Sequence, residues 1–235
     1  MSVAALVLAA GRGERFGGDV PKGFTSLAGR SLLAHSVLAL AASPEIDHVI
    51  PVVPPGRDAR AEGCLAELEG VDKVLAAVEG GVERQDSMRA GLAAVPEGTE
   101  WVAVHDAARP LVRPALVSEV VRAAREHGAA LLAIPVRDTL KRAAEGRVIE
   151  TLDRSEFWAA QTPQVFRREW LEQGLEKAAA EGLVATDCAQ LVEALGMEVT
   201  IVEGDLDNLK ITHPWDLLQA EQILRLREQE AGRCA

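Results

Sequence analysis

Cysteine is scarce: the chain has three (Cys64, Cys188, Cys234), far apart and without a CxxC pair. That spacing excludes a disulfide frame and a cysteine-based zinc site, and fits reduced thiols. Basic charge is also in short supply. Lys and Arg number 25 against 36 Asp and Glu, for a formal net charge of −11, so the chain lacks the footprint for a nucleic-acid backbone or an anionic membrane surface. No apolar run approaches the roughly 20 residues of a transmembrane helix. The run Val3–Ala10 has no Lys or Arg before it and is followed at once by glycines and charges. It therefore reads as a buried strand entering a loop rather than as a secretory signal. Together these absences predict a cytosolic protein. The five histidines show no metal-binding spacing, and repeats, low-complexity tracts and long linkers are missing.

Apolar residues make up 48% and charged residues 26% of 235 positions, the proportions of a globular chain with a real core. Short apolar runs alternate with amphipathic stretches in the manner of βαβ units. The runs predict strands at Val3–Leu8, His48–Val53, Lys73–Val78, Trp101–Val104, Ala129–Ile134 and Val199–Val202. Most are unbroken rather than alternating, which predicts a Rossmann-like, mostly parallel α/β sheet with helices on both faces. Helical patterns fall at Ser31–Ala42, Arg57–Leu68, Glu83–Val95, Pro114–His127, Glu169–Ala180, Asp187–Leu195 and Pro214–Glu230. Ser31 and Asp187 have the chemistry of N-caps, and Pro114 suits a first helical turn. Two short extended segments, Asp138–Arg142 and Arg147–Leu152, flank a turn containing Gly146. They predict a β-hairpin too poor in apolar residues to fold alone. The expectation is one domain over residues 1–235 with a projecting arm at about 137–155.

After the first predicted strand comes a glycine-rich loop, Leu8 to Lys22. Small residues there let backbone N–H groups approach a phosphate. The loop lacks the GK[ST] of a Walker A motif. Gly11, Gly13 and Gly17 do not match the GxGxxG dinucleotide spacing, and the second strand ends in Val52-Val53-Pro54-Pro55 instead of an acid. What remains is a loop whose cations include Arg15 and Lys22, of the kind that phosphoryl transfer requires. Asp106 follows an apolar run at the carboxyl end of a predicted parallel strand, where α/β proteins place ligands. A carboxylate there can hold Mg²⁺, although a turn or capping role is the plainer alternative. Arg109 can grip a phosphate with two donors or pair with Asp106. Gly80-Gly81 precede a predicted helix and would present exposed amides and its positive end to the cleft.

The segment Ala9-Ala10-Gly11-x-Gly13 with Pro21-Lys22 resembles the signature of sugar-phosphate nucleotidylyltransferases. Further segments follow in order. They are Gly80-Gly81-x-x-Arg84-x-x-Ser87, Val104-His105-Asp106-Ala107-Ala108-Arg109-Pro110, Arg137-Asp138-Thr139, Gln161-Thr162-Pro163-Gln164, Thr186-Asp187 and Asp207-Asn208-x-Lys210-x-Thr212. Each is weak alone. The ordered series resembles the 2-C-methyl-D-erythritol 4-phosphate cytidylyltransferase family across residues 3–221.

The resemblance implies a reaction of CTP with methylerythritol phosphate, yielding the cytidine-diphospho alcohol and pyrophosphate, with Mg²⁺ as cofactor on Asp106. It implies nucleotide contacts from Ala9, Ala10, Gly11, Gly13, Gly80, Gly81, Arg84, Ser87 and Ala107. It assigns catalysis to Arg15, Lys22, Arg154 and Lys210. Acceptor binding falls to Asp106, Arg109, Thr139, Arg154, Thr162 and Lys210, with the arm delivering some of these residues across a homodimer. Relatives commonly carry Pro at Leu8, Gln at Gly23 and a polar residue at Val82, so the loop bearing Lys22 is expected to be loosened by its glycine. A D-ribitol 5-phosphate cytidylyltransferase shares most of these motifs, and a non-catalytic CTP-sensing module is the alternative from another class. The acceptor's phosphate, with a second pKa of about 6, is mostly a dianion at pH 7. No general base is therefore needed, which suits a site of Lys, Arg and a carboxylate.

Overall fold

The computed structural model describes residues 1–10, 21–81 and 83–233. The chain opens with β1 (Ser2–Leu8). After a 3₁₀ turn at Lys22–Phe24 come β2 (Ser26–Leu27), β3 (Arg30–Ser31), α1 (Leu32–Ala41), β4 (His48–Val53) and α2 (Ala59–Ala66). The middle holds β5 (Val78–Glu79), α3 (Arg84–Ala93), β6 (Thr99–Asp106), α4 (Pro114–His127) and β7 (Ala129–Pro135). A hairpin of β8 (Lys141–Ala144) and β9 (Arg147–Thr151) precedes β10 (Trp158–Arg167), α5 (Arg168–Glu181), α6 (Ala189–Glu193), β11 (Thr200–Glu203) and α7 (Pro214–Arg233).

Among the described residues, a seven-stranded sheet runs in the order β11-β7-β10-β6-β1-β4-β5. All pairings are parallel except those of β10 with β6 and β7. The chain moves from β1 to β4 on one side and returns to β6 on the other, so the crevice beyond β1 and β6 is where the strand order reverses. Both sheet faces are covered. Val3, Ala5 and Val7 of β1 pack with residues of α1 and α4 such as Leu33, Val37 and Val117. The alternate residues Ala4 and Leu6 pack with Met88 of α3 and Leu171 and Leu175 of α5. This two-sided burial is why β1 reads as a continuous apolar run. No helix among the described residues is long and apolar enough to cross a membrane.

Local chemistry sets the helix ends. The Ser31 hydroxyl accepts from Ala34 N–H at 3.1 Å, starting α1 as predicted. Pro114 opens α4, where its missing N–H costs nothing. Asp187 lies two residues before α6, yet its Oδ1 accepts from Gln190 N–H at 3.0 Å and so still serves that helix start.

Two strand expectations need correction. Lys73–Val78 is mostly not ladder: it makes one isolated bridge, Val49 to Val74, before the short β5. Val49 donates to Lys73 O at 2.8 Å and Val53 O accepts from Gly80 N–H at 2.7 Å. Pro51, midway between them, turns a nitrogen without a hydrogen to the same edge, and the pairing lapses at Ala76-Ala77. Conversely, Gln161–Gln164, which none of the predicted strands covers, is the middle of β10, deep in the sheet. A proline is excluded from a regular central strand. Here the β7 register jumps between Ala160 and Gln164, so Pro163 sits in an irregularity where no ladder donor is required.

The hairpin is present where predicted. Its turn residues, Glu145 and Gly146, both have positive φ (50° and 74°), the condition for a tight hairpin turn. Every residue of β8 and β9 is exposed, including Val148 at 63% and Ile149 at 52%.

Candidate active site

The cleft lies beyond the carboxyl ends of β1 and β6. Ala9 and Ala10 continue from β1, and Ala9 N–H donates to Val52 O at 2.8 Å. Asp106 ends β6, and Ala107 N–H donates back to Leu8 O at 3.0 Å, holding the two strand ends together. Lys22, Arg84, Ser87, Asp106, Ala107 and Lys210 all line this space, as do Ala9 and Ala10. Residues from several separate sequence segments thus share one concavity. Among the described residues, three cations, Lys22, Arg84 and Lys210, face two carboxylates, Glu83 and Asp106, in a chain of net charge −11.

Asp106 organises the charge. Its Oδ2 accepts from Lys210 Nζ at 2.6 Å, and its Oδ1 lies 3.4 Å from Arg84 Nη2. Burial opposes ionisation of this carboxyl, but the fields of Arg84 and Lys210 outweigh it and hold its pKa well below the ordinary carboxylate range. Lys210 is delivered by a backbone bond next door, Ile211 N–H to Ala108 O at 2.8 Å. Behind Asp106 stands a buried relay. Asp106 N–H donates to Thr162 Oγ1 at 3.1 Å, and that hydroxyl lies 3.0 Å from His105 Nδ1. Arg109 O can only accept, so the neutral ring carries its proton on Nε2 and donates it there at 3.1 Å, and Nδ1 accepts from the Thr162 hydroxyl. The imidazole is neutral in this arrangement, its pKa pushed down to about 4 by burial.

Several predicted residues hold different places from those expected. Thr162 is buried and its hydroxyl is committed to the backbone N–H of Asp106 and to His105, so it fixes the end of β6 rather than opening onto the cleft. Arg109 donates to the carbonyls of Asn208 at 2.7 Å and Ala160 at 3.1 Å, binding the loop before Lys210 to β10. The amides of Gly80 and Gly81 are not exposed donors: they bond to Val53 O at 2.7 Å and Ser87 Oγ at 3.2 Å. Gly23 tightens rather than loosens its turn. A β-carbon there would lie 2.9 Å from that of Ala9, so only glycine lets the Lys22 turn press onto the end of β1.

Thr139 and Arg154 are exposed at the base of the hairpin, outside the cleft, with Arg154 Nη1 donating to the Arg137 carbonyl. Gly11, Gly13, Arg15 and Val82 lie outside the described residues.

Sequence reasoning missed two contributors. Cys188 Sγ accepts from Arg84 Nη1 at 3.0 Å, and Asn208 Nδ2 donates to Gln161 Oε1 at 3.1 Å and Thr162 O at 3.0 Å. Asn208 stood within a quoted motif, whereas nothing in the local sequence singles out Cys188.

A carboxylate kept ionised beside phosphate-seeking cations has the donor chemistry for Mg²⁺, which is commonly held by one or two carboxylates together with substrate phosphates.

A protein-family model described as 2-C-methyl-D-erythritol 4-phosphate cytidylyltransferase matches residues 3–226. A relative of that name from Pelotomaculum thermopropionicum is 45% identical, the match covering 99% of this chain and 97% of the relative. The crystal structure of 2-C-methyl-D-erythritol 4-phosphate cytidylyltransferase from Thermus thermophilus superposes with a TM-score of 0.79 at 38% identity, covering 96% of this chain and 100% of that one. The 4-diphosphocytidyl-2C-methyl-D-erythritol synthase structure from Anaerococcus prevotii gives a TM-score of 0.82 at 27% identity over 95% and 96% of the two chains. With a sheet of that topology, a cationic cleft at its strand-order reversal and a match along nearly its whole length, the chain belongs to the 2-C-methyl-D-erythritol 4-phosphate cytidylyltransferase family.

Proposed function

We propose that the chain transfers the cytidylyl group of CTP to the phosphate of 2-C-methyl-D-erythritol 4-phosphate. An oxygen of the acceptor phosphate bonds to the α-phosphorus of CTP, the bond to the α–β bridging oxygen breaks, and its electron pair leaves with pyrophosphate. The observation that carries this reading is the meeting of Lys22, Arg84 and Lys210 with Asp106 at the ends of β1 and β6.

Two polyanions must be brought in line, so the work is electrostatic and positional. Lys22 and Lys210 neutralise charge on the phosphates, and Arg84 adds a planar donor set across the cleft. Arg15, which precedes Lys22 in the sequence, joins them in this proposal. Asp106 would hold Mg²⁺, which when bound supplies charge to the triphosphate oxygens. Asp106 itself remains anionic at every pH of interest and is oriented by Thr162 and the neutral His105. The hairpin arm, with Thr139 and Arg154 at its base, reaches a second copy of the chain and brings these residues to the acceptor there. Its exposed Val148 and Ile149 support that role.

The test is pyrophosphate release from CTP and Mg²⁺ with either polyol phosphate. Product with methylerythritol phosphate is expected. Product only with D-ribitol 5-phosphate would reassign the acceptor, and tight CTP binding without product from either would leave a nucleotide-binding module.

A further inference from the structure

Gln164 and Asp187 belong to the motifs of the resemblance, yet neither has a part in the chemistry above. Their side chains meet behind the cleft. Gln164 is buried in β10, and its Nε2 donates to Asp187 Oδ2 at 2.9 Å. Its Oε1 accepts from the N–H groups of Cys188 and Ala189 at 3.1 and 3.2 Å. Both ends of one buried amide are thus used to lock the turn that leads into α6.

That turn fixes the Cys188 sulfur. Sγ accepts from Arg84 Nη1 at 3.0 Å, while its S–H faces Met88 Sδ at 3.3 Å. The other terminal nitrogen of Arg84 pairs with Asp106 Oδ1 at 3.4 Å. The guanidinium is therefore held at two nitrogens by two parts of the fold. Neither Gln164 nor Cys188 lines the cleft, so both act from behind it. Burial pushes the Cys188 thiol pKa up, against the pull of Arg84, so the sulfur orients the guanidinium without neutralising it. A carboxylate in that place would compete with a phosphate for the same charge.

We infer that Gln164, acting through Cys188, is a positioning clamp that presents the Arg84 guanidinium to the nucleotide in a single orientation. Arg84's service to the nucleotide rests on the function proposed above; the clamp itself does not. Positioning residues of this kind reveal themselves by coupling, because removing the clamp matters only while Arg84 is present.

Two measurements test it. The first is ¹⁵N relaxation of the Arg84 side-chain Nε in the ligand-free protein. It is expected to report a rigid guanidinium in the unmodified protein and in Cys188→Ser, and a mobile one in Cys188→Ala and Gln164→Ala. An Arg84 equally ordered in all four would overturn the clamp. The second is a double-mutant cycle on kcat/KM for CTP, with melting temperatures recorded alongside. Cys188→Ala should lower kcat/KM about 10-fold alone and less than about 2-fold in an Arg84→Ala background, with Cys188→Ser restoring most of the loss. Equal losses in both backgrounds would make Cys188 a packing residue only. If the unmodified protein releases no pyrophosphate at all, the function fails while the relaxation experiment still decides the clamp.

Discussion

The cleft and the hairpin arm are built on opposite plans. At the cleft, polar contacts span the chain: Lys210 reaches Asp106, Arg84 reaches Cys188, and Asn208 reaches Gln161 and Thr162. Most are sheltered, so their geometry is set by the fold before any ligand arrives. The arm closes on itself. Its side-chain bonds, Lys141 to Thr151 and Arg142 to Glu150, both at 2.6 Å, join one strand of the hairpin to the other. An exposed two-stranded hairpin is marginal alone, and its apolar residues gain nothing where they stand. The lesson is one of contrast: the cleft is organised by contacts from distant parts of the chain, whereas the arm is held by contacts within itself and leaves its apolar side chains exposed.

The sharpest way to separate the two regions is Lys22→Ala. It should lower kcat about 1,000-fold with CTP affinity changed only several-fold, because one transition-state donor is lost. Near-normal turnover by steady-state kinetics would take Lys22 out of the chemistry. Next comes acid sensitivity, which belongs to the cleft. His105 has a folded-state pKa of about 4 against an ordinary 6.5, so between those values the unfolded chain binds the extra proton. Stability is then greatest above pH 6.5 and falls by about 3 kcal/mol as the pH drops toward 4. Asp106, also held low, extends the loss to more acid conditions. Urea denaturation across that range checks this, and a flat profile would break the assignment.

On the arm side, Arg154→Ala should raise the acceptor KM about 10- to 30-fold while CTP binding measured by calorimetry stays within about 2-fold. An unchanged acceptor KM and kcat would detach the arm from the acceptor. The smallest effect on the folded body is expected from Val148→Asp with Ile149→Asp. The melting temperature should move by no more than about 2 °C, since surface changes are mild. Under the proposal that the arm reaches a second copy, sedimentation is expected to report a dimer for the unmodified chain and a monomer for the doubly substituted one. A dimer that survives both changes would place its contacts elsewhere.

Much of this architecture was legible beforehand, for physical reasons that also mark where legibility stops. Strands buried on both faces leave long apolar runs, so β1, β4, β6 and β7 stand out, while the edge strand β11 shows only a short one. Strand β10 hides because its buried polar residues, Gln161, Thr162 and Gln164, are satisfied by partners distant in sequence, and its proline falls in a register jump. Lys73–Val78 misleads in the opposite direction, since Pro51 on the neighbouring strand spoils pairing that its own composition favours. Of the residues that line the cleft, Lys22, Arg84, Asp106 and Lys210 stand out in the sequence by charge and motif order. Cys188 does not, because its contact with Arg84 exists only after folding. Gly23 appeared as a departure from the family pattern, and only its closeness to Ala9 explains it.

The pairing of Asp106 with Lys210 and Arg84 has one more consequence. The carboxylate gives both cations an anion to face and keeps them from searching the solvent. Much of the rotational freedom those long side chains would otherwise surrender on meeting a triphosphate is already gone, so an incoming nucleotide exchanges partners with a prearranged pair.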